Sequence, residues 1–385
     1  METILNQLNE SWADVKDLVL YGYGRHGERI LEALECDFNI VAIIDNNPSK
    51  ENISHTPQIL YSKNPQAYDY LKHYKILVTT QEYYYVQIAE QLKEIGLREN
   101  IDFIHYQNFL PEWYFKYKKK IYLVKTDVAI ITSRCSLKCK KCQLFMPYWN
   151  NKQDRSLKEI KNDLDLYFKN VDFVFDMAIL GGEPLLYQHL SELLRYIGDT
   201  YLKNKIGRAG IITNGTSIPD DEILDVIKKY GFVVTISNYH LNDQYNYRLQ
   251  KLEEVLSNHK IYYHIDDHID WFDFGYPDTE YHYTGEAAKR HMMCCNTVCH
   301  SLYDKKFWYC GIAMAAEKSG LFEPDEHAYV DLTSINPDNI DERKQILLHS
   351  LGYIYSDGGY LKHCQNCGGF GVDNNNIIPT AEQLL

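Results

Sequence analysis

Short apolar runs alternate with amphipathic segments from residue 17 to about residue 110. Continuous apolar runs of this length predict buried strands, and apolar residues spaced by three or four predict helices that pack against them. The predicted strands are 17–21, 39–45, 75–80 and 101–105, and the predicted helices are one that ends near Leu34 and one over 86–95. Strands and helices in this order predict an α/β domain with a parallel sheet.

The same alternation restarts at Val124 and continues to about residue 265. The predicted strands are 126–131, 173–180, 209–213, 233–237 and 261–265. The predicted helices are 157–168, 191–202, 220–229 and 245–257. A repeated strand–helix unit predicts a second parallel sheet, with ligands expected at the C-terminal ends of its strands.

Charge and composition narrow the class of function. The chain has 385 residues and a formal net charge of −13, from 40 basic and 53 acidic residues. This balance argues against nucleic-acid binding, because phosphate contacts need clustered lysine and arginine. The N-terminus lacks the pattern of a signal peptide, and no apolar stretch is long enough to cross a membrane. We therefore expect a cytoplasmic protein with no nucleic-acid partner and no membrane partner.

Cys135, Cys139 and Cys142 form a C-x3-C-x2-C group after the first strand of the second sheet. In a reducing cytosol, cysteines grouped in this way indicate metal ligation rather than disulfides. A cubane iron–sulfur cluster with a purely structural role normally has four cysteine ligands, whereas three ligands leave one iron open to a substrate or cofactor. A zinc knuckle is the alternative, although zinc sites usually contain two C-x2-C pairs.

Gly181, Gly182, Glu183 and Pro184 follow the apolar strand 173–180, about forty residues after the cysteine group. Glycines let a backbone approach a ligand closely, and a glutamate accepts hydrogen bonds from an ammonium group. The cysteine group and this Gly-Gly-Glu-Pro element, in this order and at this distance, resemble the radical S-adenosylmethionine (SAM) superfamily. The resemblance covers roughly residues 122 to 385.

The resemblance implies a partial (β/α)6 TIM-like barrel that holds a 4Fe-4S cluster and SAM. It implies that Gly181, Gly182, Glu183 and Pro184 hold the amino group of the SAM methionine. It also implies that Asn214 and Ser237, each at a strand end, meet the ribose and carboxylate of SAM, although ordinary turn chemistry explains them equally well. Lys141 departs from the pattern, since many family members have an aromatic residue before the third cysteine, where it touches adenine.

A glycine-rich turn opens the first helix of the N-terminal region. Gly22, Gly24 and Gly27 follow the first strand, and Asp45 ends the second one. In a dinucleotide site, such glycines place a pyrophosphate at a helix N-terminus, and the acidic residue binds the ribose diol. The region resembles a Rossmann-like doubly wound domain of the small kind attached to sugar-modifying enzymes. We expect a docking or substrate-handling role for this domain, and binding of NAD or another nucleotide is the alternative.

Six more cysteines lie in the last hundred residues, and four of them form our preferred ligand set for a second metal centre. These four are Cys299, Cys310, Cys364 and Cys367, with Cys295 as the alternative to Cys299. The spacing resembles the small cysteine-rich twitch domain, a shortened SPASM domain, which holds one auxiliary 4Fe-4S cluster. A structural zinc ion on the same thiolates is the alternative.

The combined expectation is a three-domain enzyme: a Rossmann-like domain at 1–118, a radical SAM core at 122–290 and a twitch-like domain at 291–385. Cleavage of SAM to a 5′-deoxyadenosyl radical would let it oxidise an activated sugar, such as a nucleotide sugar, or a small polyol. His240 and Asp273 are the weakest predicted participants, as possible catalytic groups near the open end of the barrel. The resemblance implies an electron-donor protein such as a flavodoxin or ferredoxin. The alternative is a maturase that modifies a ribosomally made peptide.

Overall fold

The computed structural model describes residues 8–34, 37–80, 82–202, 204–268, 270–279, 281–294, 300–353, 359–369 and 374–384. The chain folds into two compact units, residues 1–124 and residues 125–385. Within the described part of the chain, no helix combines the length and the apolar character that crossing a membrane requires.

The N-terminal unit contains one five-stranded sheet in which every strand is parallel to its neighbours. Its strands are β1 (Asp17–Tyr21), β2 (Asn39–Asp45), β3 (Ile59–Tyr61), β4 (Lys75–Val78) and β5 (Phe103–His105). Its helices are α1 (Arg25–Leu34), α2 (Pro65–His73), α3 (Glu82–Glu94) and α4 (Tyr106–Lys118). The strand order, β3-β2-β1-β4-β5, equals the first five strands of the order 3-2-1-4-5-6 that defines dinucleotide-binding sheets.

The apolar runs of this sheet explain its burial. Val19, Ile44 and Ile76 are fully buried in β1, β2 and β4, as expected for parallel strands covered on both faces. The four strands predicted from the sequence are present, whereas the three-residue strand β3 was not predicted. Asn64 begins α2 by accepting a hydrogen bond from the Gln66 backbone N–H, and Pro65 occupies the first turn of the helix.

The second sheet has eight strands in the order β10-β9-β8-β7-β6-β12-β13-β14. Its strands are β6 (Tyr122–Val128), β7 (Phe173–Ile179), β8 (Ile206–Thr213), β9 (Val233–Asn238), β10 (Tyr263–Asp267), β12 (Ser301–Tyr303), β13 (Lys306–Trp308) and β14 (Tyr329–Asp331). A separate antiparallel ribbon pairs β11 (Asp270–Phe272) with β15 (Ile377–Pro379). The helices are α5 (Leu157–Asn170), α6 (Leu190–Thr200), α7 (Asp221–Tyr230), α8 (Asp243–Asn258), α9 (Gly285–Cys294), α10 (Gly311–Lys318) and α11 (Ile340–Ser350).

Local sequence signals place the helices between these strands. Ser156 and Glu159 form a reciprocal capping box at the start of α5. Asp220 caps the start of α7, and Gly231 ends that helix in the left-handed conformation that suits glycine. Strands β6 to β10 therefore alternate with α5 to α8, as the sequence predicts. Among the described residues, this βα series contains five strands rather than the six of the expected barrel.

The last hundred residues contribute three strands to the second sheet. Strand β12 pairs in parallel with β6, and β13 and β14 extend the same sheet in antiparallel fashion. The domain boundary near residue 290 stays a prediction, and backbone hydrogen bonds join the C-terminal segment to the sheet that carries the cysteine loop.

Candidate metal and cofactor site

The loop that carries Cys135, Cys139 and Cys142, which we call the cysteine loop, follows the C-terminal end of β6. Its path is fixed by backbone hydrogen bonds, including one from the Ile131 N–H to the Leu180 carbonyl oxygen at 3.0 Å. A tight turn brings the Cys142 N–H to 3.2 Å from the Cys139 carbonyl oxygen. The three thiols therefore lie at the edge of the sheet where parallel α/β folds bind ligands.

Near pH 7 these three side chains are protonated thiols rather than thiolates. None of the three forms a disulfide. Burial raises the pKa of Cys135 to about 11 and the pKa of Cys139 to about 12, and it also raises the pKa of Cys142. The negative charge of one thiolate raises the pKa of its neighbour further. A bound cation would compensate these charges and displace the protons, so the donor set fits a thiolate metal centre.

Hydrogen-bond donors already point at two of the sulfur atoms. Cys135 Sγ lies 3.5 Å from both the Leu137 N–H nitrogen and Asn214 Nδ2. Cys139 Sγ lies 3.3 Å from Gln383 Nε2. Donors of this kind stabilise thiolate charge and orient metal ligands.

The three thiols of the cysteine loop do not converge on a site for a single ion. Nowhere in the described residues do three histidine, cysteine, aspartate or glutamate side chains converge as the ligands of one ion. The thiolates of a multi-iron cluster bind different iron atoms and need not converge on one point.

Gly181 and Gly182 pack directly against the backbone that leads into the cysteine loop. The Gly182 N–H donates to the Thr132 carbonyl oxygen at 2.7 Å. A Cβ atom at Gly182 would overlap the Arg134 carbonyl oxygen, and one at Gly181 would lie 2.9 Å from that of Thr132. The sequence predicted that these glycines approach a ligand closely. In the structure they approach the backbone of the cysteine loop, a packing role that was not predicted.

Glu183 is completely buried and accepts three hydrogen bonds. Its donors are the Thr213 hydroxyl at 2.8 Å, the Asn214 N–H at 2.8 Å and the Leu185 N–H at 3.1 Å. Burial raises its pKa to about 6, although these donors oppose the shift. Because a carboxylate has about four acceptor positions, one remains for a further donor. Pro184 begins the short helical turn that Glu183 caps.

Asn214 and Ser237 end two adjacent strands, and both are buried. The Tyr245 hydroxyl joins the two strand ends, since it lies 3.0 Å from the Asn214 carbonyl oxygen and 2.9 Å from that of Ser237. The Asn214 side chain donates to Ser136 Oγ at 3.1 Å, so it holds the cysteine loop. Contacts of Asn214 and Ser237 with SAM remain a prediction.

Lys141 holds a loop formed by residues 273–279 against the cysteine loop. Its ammonium group lies 3.1 Å from Asp273 Oδ1 and forms a second ion pair with Asp278. The same nitrogen donates to the Gly275 carbonyl oxygen at 3.0 Å and to Thr279 Oγ1 at 2.8 Å. Asp273, a predicted catalytic candidate, is thus buried in a structural ion pair. A lysine in place of the usual aromatic residue has a structural explanation here.

A cavity of about 700 Å³ opens beside the end of β9. Its lining residues are Tyr239, His240, His268, Asp270, Ile377, Ile378, Pro379 and Thr380. Burial raises the pKa of Tyr239, and the neighbouring charges of Cys139 and Cys142 add to this rise, which places the phenol near the cysteine loop. His240, predicted from its position after β9, lies at this cavity and is 3.0 Å from Asp267. No recognised motif identifies Tyr239, His268 or Asp270 as cavity residues.

Three of the four expected ligands of the second metal centre are buried in one apolar cluster. Cys310 precedes α10, and Cys364 and Cys367 lie in and after a short helical turn. Burial raises the pKa of Cys364 well above its usual value, and the charges of Cys367 and Cys310 raise it further. The three thiols are thus neighbours and fit part of a thiolate centre. Cys299 and Cys295 lie outside the described residues.

The glycine turn of the N-terminal unit is closed by its own side chains. Asp45 accepts hydrogen bonds from the Tyr23 N–H at 2.7 Å and the Asn47 N–H at 2.8 Å, and it pairs with Lys50 at 3.1 Å. A Cβ atom at Gly27 would overlap the Gly22 carbonyl oxygen, so Gly27 brings α1 close to β1. Gly24 has no atom near its Cβ position. Asp45, the residue expected to bind a ribose diol, therefore already forms hydrogen bonds and an ion pair within the protein.

The comparison with protein families identifies the middle of the chain. Residues 129–265, which contain the cysteine loop and the Gly-Gly-Glu-Pro element, match the family model described as Radical SAM superfamily. This segment is therefore similar to the radical SAM domain. No curated protein matches the chain.

Several solved structures are similar to the chain at low identity. Streptococcus suis SuiB bound to precursor peptide SuiA is 19% identical over 48% of this chain and 44% of that chain, with a TM-score of 0.30. The anSMEcpe complex with AdoMet and Cp18Cys peptide is 22% identical over 37% and 42%, with a TM-score of 0.27. BtrN in complex with AdoMet and 2-DOIA is 13% identical over 68% and 97%, with a TM-score of 0.43. In these alignments the chain spans less than half of the peptide-bound SuiB chain and of the anSMEcpe chain with Cp18Cys peptide.

Proposed function

We propose that this chain is a radical SAM oxidoreductase that acts on a small hydroxylated metabolite, such as an activated sugar or a polyol. The observation that carries the proposal is a cavity beside a radical SAM cysteine loop, lined mainly by apolar surface and also by the polar side chains of His240, His268 and Asp270. When bound, a 4Fe-4S cluster and SAM supply a 5′-deoxyadenosyl radical that abstracts hydrogen from a substrate.

The protein's own residues hold and shield this chemistry. Cys135, Cys139 and Cys142 would bind three irons of the cluster, with N–H donors stabilising the thiolates of Cys135 and Cys139. Glu183, with one acceptor position left, would receive the SAM ammonium, and that ionic contact would offset the cost of keeping its carboxylate buried.

The cavity supplies groups suited to an alcohol substrate. Burial lowers the pKa of His268, so its imidazole is neutral near pH 7 and is able to accept a proton from a substrate hydroxyl. Asp270 and the exposed His240 line the same cavity, where they would form hydrogen bonds with the substrate. The cavity volume of about 700 Å³ is in the range of small-molecule sites. These features support a small metabolite over a ribosomally made peptide as the substrate.

Oxidation of an alcohol to a ketone removes two electrons and two protons in total. Hydrogen abstraction removes one proton with one electron, and His268 takes the remaining proton. Cys310, Cys364 and Cys367 would hold three corners of an auxiliary 4Fe-4S cluster, and when bound such a cluster supplies an acceptor for the remaining electron. We propose Cys299 or Cys295 as its fourth ligand, and a flavodoxin or ferredoxin as the electron donor of the enzyme.

The metal content of the protein tests this assignment. After anaerobic reconstitution, we expect about eight irons and eight sulfides per chain, since each cubane contributes four of each. Cys310→Ala should lower the iron content to about four and leave the SAM cluster in place. A content of about four irons and one zinc in the unaltered protein would contradict the auxiliary cluster.

A thermal-shift screen of nucleotide sugars, free polyols, NAD and peptides tests the substrate class. Stabilisation by a sugar or polyol that disappears in His268→Phe would support binding in the cavity. Stabilisation by peptides alone would favour the maturase alternative. Stabilisation by NAD that disappears in Gly24→Ala would instead assign a nucleotide to the N-terminal unit.

A further inference from the structure

The segment of residues 374–384, which we call the C-terminal strap, pairs with the cysteine loop. The Lys140 N–H donates to the Glu382 carbonyl oxygen at 2.7 Å, and the Leu384 N–H donates to the Lys138 carbonyl oxygen at 2.8 Å. These bonds form an antiparallel bridge in which Gln383 lies opposite Cys139. The strap is thus joined by main-chain hydrogen bonds to the middle of the metal-binding loop.

The side chain of Gln383 completes this contact and has a defined orientation. Its Oε1 accepts a hydrogen bond from the Lys138 N–H at 2.8 Å. Its Nε2 donates to the Ala381 carbonyl oxygen at 2.6 Å and lies 3.3 Å from Cys139 Sγ. A backbone N–H requires an acceptor opposite it, so the network fixes the amide with its NH2 group towards the sulfur.

The other end of the strap is tied to the cavity and to the Lys141 contact. Strand β15 pairs with β11, and Ile377, Ile378 and Pro379 line the cavity. Asn374 Nδ2 donates to the Asp273 carbonyl oxygen at 2.8 Å, and Asp273 in turn pairs with Lys141. One segment therefore forms a wall of the cavity and hydrogen-bonds a cysteine of the metal-binding loop.

We propose that Gln383 is a positioning residue that raises the reduction potential of the cluster on the cysteine loop. A hydrogen bond to a ligating sulfur stabilises the extra negative charge of the reduced cluster, and such bonds are among the factors that set iron–sulfur potentials. The strap also covers Cys139, which is only 7% exposed. This inference rests on the proposed function, because it requires a redox-active cluster at Cys135, Cys139 and Cys142.

Two substitutions separate the hydrogen bond from the strap itself. Gln383→Glu keeps an oxygen that accepts the Lys138 N–H but replaces the amide donor with a negative charge. Gln383→Met has a similar length and removes both the acceptor and the donor. Glu382→Asp is the matched control, because Glu382 contributes its backbone carbonyl to the bridge and the substitution keeps its charge.

The experiment is a redox titration of the reconstituted full chain. The reduced cluster is measured at each potential by the electron paramagnetic resonance signal that changes when SAM is added. At a fixed potential, we expect the ratio of reduced to oxidised cluster to fall about threefold in Gln383→Met and about tenfold in Gln383→Glu. Glu382→Asp should match the unaltered protein.

Two results would overturn the proposal, and they differ from each other. A SAM-sensitive signal with the same potential in all variants would exclude redox tuning by Gln383 and leave the proposed function intact. Absence of any SAM-sensitive signal in the unaltered protein, despite bound iron, would remove the proposed function together with the role of Gln383.

Discussion

The glycine turns after β1 and after β7 both follow parallel strands, and only the second of these two leaves reactive groups available. In the N-terminal unit, Asp45 is engaged by two backbone N–H groups and by Lys50. In the second unit, the glycines at 181 and 182 hold the cysteine loop, and its three thiols form no disulfide. The same position in a fold thus serves internal structure in one unit and the proposed metal site in the other.

This difference shows that a glycine pattern alone does not define a ligand site. Gly27 and Gly182 are both required because a Cβ atom would overlap a nearby backbone oxygen. In both cases the close approach is to protein backbone. What distinguishes the second turn is the chemistry of the groups beside it, namely the cysteine thiols and a buried glutamate with one acceptor position left.

Substitution of the glycines should produce the largest difference between the two turns. Gly182→Ala forces the Arg134 backbone away and displaces the adjacent Cys135, so we expect the iron content to fall by about four atoms per chain. Gly24→Ala has open space around its Cβ position and should leave the iron content unchanged. Normal iron content in Gly182→Ala would show that the cysteine loop does not depend on this packing.

Removal of the Lys141 ammonium should destabilise the second unit, residues 125–385. Lys141→Met leaves Asp273 buried without its cation, and breaking a buried ion pair in this way costs about 3 kcal/mol. Urea denaturation measures the loss. The double variant Lys141→Met/Asp273→Asn should recover much of the stability, whereas equal losses in the single and double variants would argue against a charge effect.

Much of this unit was predictable because its signals are local. The strands β7 to β9 and the helices α5 to α8 agree with the apolar periodicity within a few residues, since caps such as Ser156 and Asp220 lie next to the helices they begin. The order of the cysteine loop and the Gly-Gly-Glu-Pro element also predicted the family, as the match over residues 129–265 confirms.

The rest depended on contacts between distant parts of the sequence. Gln383 meets Cys139 across 244 residues, and Lys141 meets Asp273 across more than a hundred. The cavity residues Tyr239, His268 and Asp270 share no motif, because the β11–β15 ribbon brings its parts together. Periodicity and spacing in a sequence predict contacts between residues close to each other along the chain, and they do not predict these long-range contacts.

Urea denaturation at a series of pH values tests the stability of the second unit, residues 125–385. Burial lowers the pKa of His349 to about 3, so the folded state keeps it neutral while the unfolded state protonates near pH 6.5. Its stabilising contribution is therefore present above about pH 6.5 and is lost as the pH falls towards 3. Between pH 7 and pH 5, we expect His349 to contribute a loss of about 2 kcal/mol in urea denaturation, which His349→Leu should remove, whereas the loss from the buried His300, whose pKa is lowered to about 4, should remain.

The exposed His73 provides the control for this series. His73→Gln should leave the pH dependence of the second unit unchanged. If His349→Leu keeps the full slope between pH 7 and pH 5, groups other than this histidine control the acid sensitivity.

The smallest expected effect concerns the closed turn of the N-terminal unit. Asp45→Asn replaces a charged acceptor of two backbone N–H groups and should cost about 1 to 2 kcal/mol in that unit. Lys50→Met should cost less, about 1 kcal/mol, because the carboxylate keeps its backbone donors. Both variants should retain full iron content, and iron loss in either would contradict the separation of the two turns.

The central claim is that the cysteine loop supports reductive cleavage of SAM, and the formation of 5′-deoxyadenosine tests it most directly. The anaerobically reconstituted chain, reduced with dithionite and given SAM, should produce 5′-deoxyadenosine. Asp45→Asn should give a comparable amount, and Cys139→Ala should give none. Failure of the unaltered, iron-loaded protein to form 5′-deoxyadenosine, or formation at an equal rate in Cys139→Ala, would contradict the claim.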